Sequence, residues 1–316
     1  MQFDLTDLRL FVRAAEVGSL TRAAAASHLS LPAASARVRA LETQAGMNLF
    51  LREARGVRLT PAGDAFLHHA RAVLRQAAQL RADLDEHGGD LRGHLRIHAN
   101  TTAVTEFLPE VLPSFLKSHP RVNVELQEHP NALIAHHVLD GRADLGITAG
   151  PVDRASPVET PGLRSVHFST DRLVLAVPAD HALADRRRID FASTLDEPQV
   201  GMHAGSTLQT FLTQVADRLG RTQKLRVQLS SFEAMCRLIG AGVGIGVLPE
   251  SVARRHAAAL GLALLELNDD WSVRERLALV RERDRLPPYS EDLIARLIAH
   301  HSAGGVSLNT PPAASA

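Results

Sequence analysis

Apolar residues recur at helical spacing through the first sixty positions of the chain. The first stripe of apolar residues predicts a helix over residues 6–16. Two short helices should follow, because Ser19 is a favourable N-cap for a helix beginning near Leu20 and Ser30 can cap the next one. Pro32 falls in the first turn of that second helix, where its missing amide hydrogen costs no hydrogen bond. The pattern is typical of two helices joined by a tight turn.

The second helix of this pair, predicted over residues 30–42, has two different sides. Ala34, Val38 and Leu41 recur at spacings of four and three, so they should face the core. The opposite side carries small residues, one serine and two arginines: Pro32, Ala33, Ser35, Ala36, Arg37 and Arg39. Small residues allow a close approach to another surface, and the polar side chains can donate to phosphates and base edges. This side has the composition of a recognition helix in a major groove.

A basic hairpin is predicted next, because residues 49–59 alternate around Arg55-Gly56 as a two-stranded wing would. Arg52, Arg55 and Arg58 crowd this small element. They either reach the DNA backbone or an adjacent minor groove, or belong to a solvated basic hairpin. The sequence leaves both possibilities open.

A long helix is predicted from Pro61 to about His87, before Gly88-Gly89 ends it. Its apolar residues are spaced four, three, four, three and four: Phe66, Ala70, Val73, Ala77, Leu80 and Leu84. A seam this narrow favours a dimerisation helix over a helix packed only on its own domain. A symmetric pair would place two recognition helices about 34 Å apart, so the DNA site should be an imperfect inverted repeat.

From Leu91 onward, short apolar strands alternate with helices, which indicates open sheets covered by helices, an α/β fold. Strands are predicted over residues 94–99, 122–127, 144–148, 172–177, 199–202, 225–229, 243–248, 262–267 and 276–280. Helices are predicted over residues 104–117, 132–139, 207–219, 232–241, 249–260 and 290–300. Residues 303–316 have the composition of a disordered tail.

Two strand ends in this part of the chain are candidate ligand contacts. In open α/β sheets, a ligand binds beyond the carboxyl ends of the strands, against helix N-termini. Asn100-Thr101-Thr102 and Gly205-Ser206-Thr207 each follow a strand and open a helix, so together they would suit a small carboxylate or other anion. Plain helix capping explains the same residues, and the sequence alone favours that simpler interpretation. Weaker candidates at strand ends are His129, Pro130, Asn131, Met202, His203, Gly246 and Val247.

Charge and composition refine these predictions. The 316 residues are 45% hydrophobic and 22% charged, as in ordinary globular proteins, and the formal net charge is zero. Residues 1–60 nevertheless hold eight arginines against five acids, a local charge of +3, which fits a DNA-binding head. The single Cys236 excludes an intramolecular disulfide. The chain opens without an export signal pattern and has no apolar run of membrane-spanning length, so we expect a cytoplasmic protein without membrane contact.

The motifs that would indicate an enzyme or a cofactor fail on inspection. The run GAGVGIG at Gly240–Gly246 follows a helix and leads into a strand, the reverse of a dinucleotide-binding loop. The adjacent pairs His68-His69, His136-His137 and His300-His301 do not share a helix face, so metal binding is not expected. No GxSxG occurs, and we expect no catalytic site and no cofactor.

The head resembles the helix-turn-helix of LysR-type transcriptional regulators. The resemblance rests on an ordered set of residues: Leu8, Phe11, Ala14, Ala15, Gly18 to Ala24, Ser30, Pro32, Ala33, Ser35, Arg39, Leu41, Glu42, Gly46, Leu49, Phe50 and the run Arg55 to Gly63. Leu31 and Ala36 depart from the usual family pattern, which often has Gln and Arg there. Base preference therefore does not transfer from relatives.

The resemblance implies a complete architecture. It implies a winged helix-turn-helix over residues 1–60, a linker helix over 61–90, and an effector-binding domain over 91–302 with a periplasmic-binding-protein-like (type 2) fold. The effector domain should have two α/β subdomains, of residues 91–164 with 270–302 and of residues 165–269, with crossings near 162–168 and 268–272. The DNA contacts would add Thr21, Arg22, Ser30 and Leu31 to the residues named above.

The functional expectation is a sequence-specific DNA-binding regulator, not an enzyme, controlled by a small and anionic effector held between the subdomains. The family resemblance also implies a homodimer, assembled into a tetramer as a dimer of dimers. Two alternatives share the C-terminal architecture. One is a solute-binding protein, and the other is a small-molecule enzyme that uses the same cleft.

Overall fold

The structure, a computed structural model, describes residues 3–53, 56–87, 93–151, 160–282, 284 and 286–303. The chain forms two compact units. One extends to Gly93 and includes Asp140–Arg142, and the other comprises the remaining residues. The predicted tail at 303–316 lies, apart from its first residue, outside the described residues.

The first unit is a head of three helices, a hairpin and a long helix. In chain order these are α1 (Leu5–Val17), α2 (Leu20–Ala26), α3 (Leu31–Ala45), β1 (Phe50–Glu53), β2 (Gly56–Leu59) and α4 (Pro61–His87). Ser19 and Ser30 cap α2 and α3 as predicted, each accepting a bond from a backbone amide three residues on. Helix α1 begins one residue earlier than predicted because Asp4 and Asp7 form a reciprocal capping box.

Hydrogen bonds connect the hairpin β1–β2 both to α3 and to the turn that follows α1. One Glu42 carboxylate oxygen accepts the backbone amides of Leu49 and Phe50, at 2.9 and 3.0 Å. The Val57 amide donates to the Gly18 carbonyl over 3.0 Å. Gly56 has φ +145°, and a Cβ added there would lie 2.1 Å from the Gly18 carbonyl oxygen. The hairpin therefore needs glycine at position 56 to lie this close to the turn after α1.

The predicted apolar seam of α4 divides into two parts. Phe66 stacks edge-on against Phe3 and Phe11 and packs on the head's core, and Ala70 is buried within the single chain. The burial of Ala70 corrects its assignment to the dimer seam, whereas Phe66 is half-buried and its dimer contact stays a prediction. Beyond them, Val73, Leu80 and Leu84 are exposed by 47%, 62% and 64%. A second copy of the chain could cover only this later part of the seam together with the half-buried Ala77.

The remainder of the chain is an α/β domain with two halves. Its strands are β3 (Gly93–Ala99), β4 (Val122–Glu128), β5 (Leu145–Pro151), β6 (Leu163–Pro178), β7 (Arg188–Ile189), β8 (Pro198–Met202), β9 (Lys224–Leu229), β10 (Gly246–Pro249), β11 (Leu262–Leu267) and β12 (Val273–Arg281). Its α-helices are α5 (Leu108–Ser118), α6 (Asn131–Leu139), α7 (Thr207–Arg218), α8 (Phe232–Gly240), α9 (Glu250–Leu260) and α10 (Pro288–Ala303). A π-helical turn over Ala103–Phe107 precedes α5, and the two-residue β7 was not predicted.

One long strand joins the two halves. The sheet order is β4-β3-β5-β12-β6-β11-β7, with β10 also paired to β6. Residues 163–172 of β6 pair with β12, whereas residues 173–178 pair with β10 and β11. The predicted crossing at 162–168 was therefore too early, because residues 163–168 are regular strand in the first half and the switch falls at Arg172 and Leu173. The second crossing, predicted at 268–272, coincides with a 3-10 turn at Asp270–Ser272.

Candidate functional site

The exposed side of α3 is the first candidate site. Ala34, Val38 and Leu41 are buried as predicted, with at most 4% of each exposed. The opposite side faces solvent with Leu31, Pro32, Ala33, Ala36 and Arg39, and Ser35 is half-buried. Because four of these six residues are proline, alanine or serine, another surface can approach the helix backbone closely.

The arginines predicted to face DNA have different environments. Nη1 of Arg37 lies 2.7 Å from Asp7 and 3.4 Å from Asp4, so this guanidinium is paired within the head while 38% of the side chain stays exposed. Arg22 donates from its guanidinium to the Val17 carbonyl at the end of α1. Both guanidinium groups thus have a partner within the head, yet Arg22 is exposed and Arg37 is half-buried, so their contact with DNA stays a prediction. Arg39 is exposed and has no ion-pair partner among the residues that the structure describes.

The wing contributes one arginine next to α3. Arg52 Nη2 donates to the Ser35 hydroxyl over 3.4 Å, so the two predicted contact residues lie side by side. Arg58 pairs with Glu53 on the same hairpin at 2.9 Å, and Arg55 lies outside the described residues. Thr21 and Ser30 are both exposed, and the Ser30 hydroxyl also caps α3.

The second candidate site is the cleft of the α/β domain, and its first wall follows β3. The Asn100 side chain accepts the Ala103 amide over 3.0 Å and donates to Asn131 over 3.1 Å. Thr101 donates to a Glu128 carboxylate oxygen over 2.6 Å, and Thr102 is buried. Capping thus accounts for Asn100, while Thr101 ties the π-helical turn to the end of β4.

The opposite wall is the N-terminus of α7. Ser206 caps α7 through the Gln209 amide at 3.1 Å and is buried. Two contacts join this wall to the first. The Asn131 amide donates to the Thr207 hydroxyl over 3.1 Å, and His203 Nε2 lies 3.8 Å from Glu128. Asn131 and Glu128, which bond to Asn100 and Thr101, thus connect the first predicted segment to the α7 side of the cleft.

Two weaker candidates belong to the packing of the second half. Met202 and Val247 are only 1% and 4% exposed and lie in its hydrophobic core. Their side chains are occupied by core contacts, which corrects their assignment as ligand contacts.

A buried charged cluster at the junction of the halves escaped the sequence analysis. Arg274 and Arg276 of β12 both contact the Asp171 carboxylate of β6, and Nη2 of Arg276 lies 3.3 Å from it. Arg276 also stacks over Phe107, 4.9 Å from the ring centre. Burial lowers the pKa of Arg276, and the Asp171 carboxylate opposes that shift. Two buried guanidinium groups thus share one carboxylate.

This cluster lies at the cleft end of the first sheet. Arg276 is paired across the ladder with Ala149, whose carbonyl accepts a 2.6 Å bond from the Asn131 side chain. Ser169 Oγ and Arg276 Nε are buried, and neither has a hydrogen-bond partner in the part of the chain that the structure describes. The period-two spacing of Arg274 and Arg276 was the available signal, since it places both side chains on one face of a strand.

Within the described residues, no helix is long and apolar enough to cross a bilayer.

Comparison with known proteins identifies both parts of the chain. Residues 5–64 match the family "Bacterial regulatory helix-turn-helix protein, lysR family". Residues 88–302 match the family "LysR substrate binding domain". The chain belongs to the LysR family of transcriptional regulators.

Similar LysR-family proteins extend over nearly the whole chain. The RuBisCO operon transcriptional regulator of Allochromatium vinosum is 29% identical over 288 residues, 91% of this chain and 93% of that protein. The nitrogen assimilation regulatory protein nac of Klebsiella aerogenes is 29% identical and covers 81% of each chain. A full-length OxyR variant from Pseudomonas aeruginosa has the same fold, with a TM-score of 0.71 and 24% identity over 94% of this chain and 98% of that one.

Membership in the LysR family confirms the predicted function in outline. The protein is a DNA-binding transcriptional regulator with a helix-turn-helix head and an effector-binding domain. The regulatory domain of Synechocystis CcmR, solved in complex with 2-PG, is 25% identical over 66% of this chain and 97% of its own, with a TM-score of 0.56. A solute-binding protein shares the architecture of the second part only, so the helix-turn-helix match disfavours that alternative.

Proposed function

We propose that this LysR-type regulator contacts its DNA site with the exposed side of α3 and the adjoining wing. This proposal rests on the exposed side chains of α3, which are Leu31, Pro32, Ala33, Ala36 and Arg39. No carboxylate in the described part of the chain pairs with Arg39. Small side chains let the helix enter a major groove, and such an arginine can donate to base edges or phosphates without breaking an internal ion pair.

Three polar groups next to this face should contact the backbone of the same site. Arg52 lies against Ser35, and Thr21 is exposed on α2. Arg37 is assigned a positioning role, because its bond to Asp7 fixes α3 on α1.

We infer that α4 pairs with α4 of a second copy through Val73, Ala77, Leu80 and Leu84. The exposed leucines support this, since apolar side chains at heptad spacing gain free energy when a matching helix covers them. The two heads of the dimer would then read half-sites about one helical turn of DNA apart, as an inverted repeat. Two such dimers would form the tetramer.

We propose that the effector is a small anion held between Asn100–Thr102 and Ser206–Thr207. The Arg274–Asp171–Arg276 cluster supports an anionic ligand, because it places two cations against one carboxylate at this end of the sheet. Buried, unpartnered polar atoms are rare, and a ligand carboxylate would satisfy the Ser169 hydroxyl. The CcmR complex with 2-PG is a precedent for a ligand in a regulatory domain of this fold.

Regulation requires only that the effector prefer one arrangement of the protein on DNA. A coupling free energy of about 1 to 3 kcal/mol between effector and DNA is typical of such systems. The effector would change the closure of the two halves and thereby the arrangement of dimers on DNA.

A mobility-shift titration with DNA flanking the protein's own gene tests the DNA-binding assignment. We expect sequence-selective binding at moderate salt that weakens as salt rises, because counterions are released from the phosphates. Equal binding to a scrambled duplex of the same length would contradict the proposal.

A thermal-shift screen tests the effector assignment. Small carboxylic acids are compared with their own amides, so that the pairs differ in charge and little else. We expect acids and not amides to raise the midpoint of unfolding of the wild type. An amide that stabilises as well as its acid would contradict an anionic effector without touching the DNA-binding assignment.

A further inference from the structure

Three histidines from three separate elements meet in the first half of the effector domain. His98 lies near the end of β3, His129 directly follows β4, and His137 is on α6. One ring nitrogen of each lies within 4.8 Å of a ring nitrogen of both others. The Nδ1 atoms of His98 and His137 are 2.8 Å apart, and the ring centres are separated by 4.6 to 4.9 Å.

The burial and the chemistry of these three rings suit metal binding. His98 and His137 are only 5% and 8% exposed. Histidine ligates metal ions through a ring-nitrogen lone pair of the neutral imidazole, and three such rings converge here.

We propose that His98, His129 and His137 together bind one divalent late first-row transition ion, with Zn²⁺ as the reference ion. A site of imidazole nitrogens alone selects Zn²⁺, Cu²⁺, Ni²⁺ or Co²⁺ over Mg²⁺ and Ca²⁺, which prefer oxygen ligands. Three protein ligands leave one position of a tetrahedral ion to water.

Binding a tetrahedral ion would require only small movements of the three imidazole rings. Tetrahedral Zn²⁺ with ligand bonds of about 2.0–2.1 Å places its nitrogen ligands about 3.3 Å apart. The Nδ1 atoms of His98 and His137 would separate by about half an ångström from their 2.8 Å contact. His129 would move inward, which its position in a half-buried segment after a strand permits.

A supporting contact already orients His129. Its Nε2 lies 3.2 Å from the Gln127 side-chain oxygen. With a proton on Nε2, this nitrogen would donate to that oxygen and Nδ1 would be the ligating atom, as metal-bound histidines are commonly held by a second partner.

The site adjoins the contacts that join the two halves of the domain. His129 is flanked by Glu128, which lies 3.8 Å from His203, and by Asn131, whose amide donates to Thr207. An ion on His129 would fix this segment. Metal binding by these three histidines does not depend on the identity of the effector.

The test uses the full-length protein without a histidine tag, freed of metal by a chelator and then dialysed. Co²⁺ is titrated first, because tetrahedral Co²⁺ absorbs in the visible, and Zn²⁺ is then measured by competition with a chromophoric chelator. We expect one ion per chain, and Zn²⁺ should raise the midpoint of thermal unfolding because it binds the folded state.

Two substitutions of cluster residues and two matched controls decide the assignment. His129→Gln and His137→Gln should each weaken Zn²⁺ binding at least about 10-fold and abolish the thermal shift. His136→Gln and His94→Gln alter exposed histidines on the same helix and the same strand, so they should bind as the wild type does.

The outcomes separate the alternatives. If His137→Gln fails to fold, the half-buried His129→Gln carries the comparison alone. Unchanged binding in His129→Gln, equal loss in His136→Gln, or no Co²⁺ absorption in the wild type would each overturn the proposal.

Discussion

Arg276 and Asp171 form a buried ion pair in which the carboxylate also receives Arg274. The two arginines, Arg274 and Arg276, are 4% and 5% exposed, and Asp171 is 7% exposed. Breaking a buried pair is costly mainly because it leaves a charge without its partner. The cluster is asymmetric, since it can lose one arginine and remain paired but cannot lose its single carboxylate.

We therefore expect Asp171→Asn to lower the free energy of unfolding by about 3 to 5 kcal/mol. Arg276→Gln should cost about 1 to 2 kcal/mol, because Arg274 still neutralises Asp171. Urea denaturation measures both. Arg172→Gln, next to Asp171 on the same strand and half-buried, is the control. Equal losses from Asp171→Asn and Arg276→Gln would contradict the asymmetry.

Arg39 should contribute to DNA affinity without contributing to stability. Because its guanidinium is exposed and pairs with no described carboxylate, Arg39→Ala should change the free energy of unfolding by less than about 0.5 kcal/mol. If Arg39 contacts a phosphate, its loss should reduce the slope of log affinity against log salt by about 1. Fluorescence anisotropy with a labelled duplex measures this slope.

Arg218→Ala is the control for Arg39, since it removes the same charge from an exposed position in the effector domain. It should leave the slope unchanged. Similar losses of DNA affinity in Arg39→Ala and Arg218→Ala would show that the affinity depends on the net charge of the protein and not on a contact between Arg39 and DNA.

Gly56→Ala should destabilise the head by about 2 kcal/mol or more. A Cβ at position 56 would meet the Gly18 carbonyl at 2.1 Å, and φ +145° is unfavourable for alanine. Gly46→Ala is the matched control, because Gly46 also has positive φ, +71°, but nothing lies within 4 Å of its added Cβ. It should cost only about 1 kcal/mol. Thermal unfolding and DNA affinity measured on both variants would separate backbone strain from collision.

Leu80→Glu should dissociate the dimer that we propose. A carboxylate at this position would face another on the partner helix, where covering the leucine would otherwise be favourable. Sedimentation over a range of protein concentrations gives the association constant. Ala78→Glu adds the same charge at an exposed position about 200° around α4 and should leave assembly unchanged. A dimer of unchanged strength in Leu80→Glu would rule out the α4 seam.

Cys236 should be inert in the folded protein. Its side chain is buried, and burial raises the pKa of the thiol from 9.0 to about 11. The thiolate is the reactive species, so at pH 8 only about one thiol in a thousand is ionised. A thiol reagent should react slowly with the native protein and at once in guanidinium chloride. Fast reaction in the native state would contradict the burial.

The raised pKa of Cys236 makes the stability of the folded protein depend on pH at alkaline values. The native state favours the protonated thiol. The contribution of Cys236 to the free energy of unfolding is therefore present in full at any pH below the pKa that the thiol has in the unfolded chain. It is lost as the pH rises from about 9 towards 11.

Several features of the fold could be read from local pattern alone. The caps at Ser19 and Ser30, the start of α4 at Pro61 and most strands of the effector domain depend on neighbours within a few residues. Helix and strand periodicities are local quantities, so a single sequence carries them. The strand-end segments at Asn100 and Ser206 were found for the same reason.

The contacts that the local pattern did not predict depend on distant partners. Arg37 looks outward on a helical wheel, but Asp7 of α1 engages it. Ala70 fits a heptad seam, but it is already buried within the single chain.

The sequence by itself determined the helix-turn-helix, the wing, the long linker helix and the alternation of strands and helices, because each follows from short-range spacing and capping. Only the tertiary structure decided that residues 163–178 form one strand shared by two half-domains. It also brought His98, His129 and His137 together, and it set two arginines against Asp171. These groupings unite residues far apart in the chain, and sheet register and packing, which no local spacing records, place their side chains in contact.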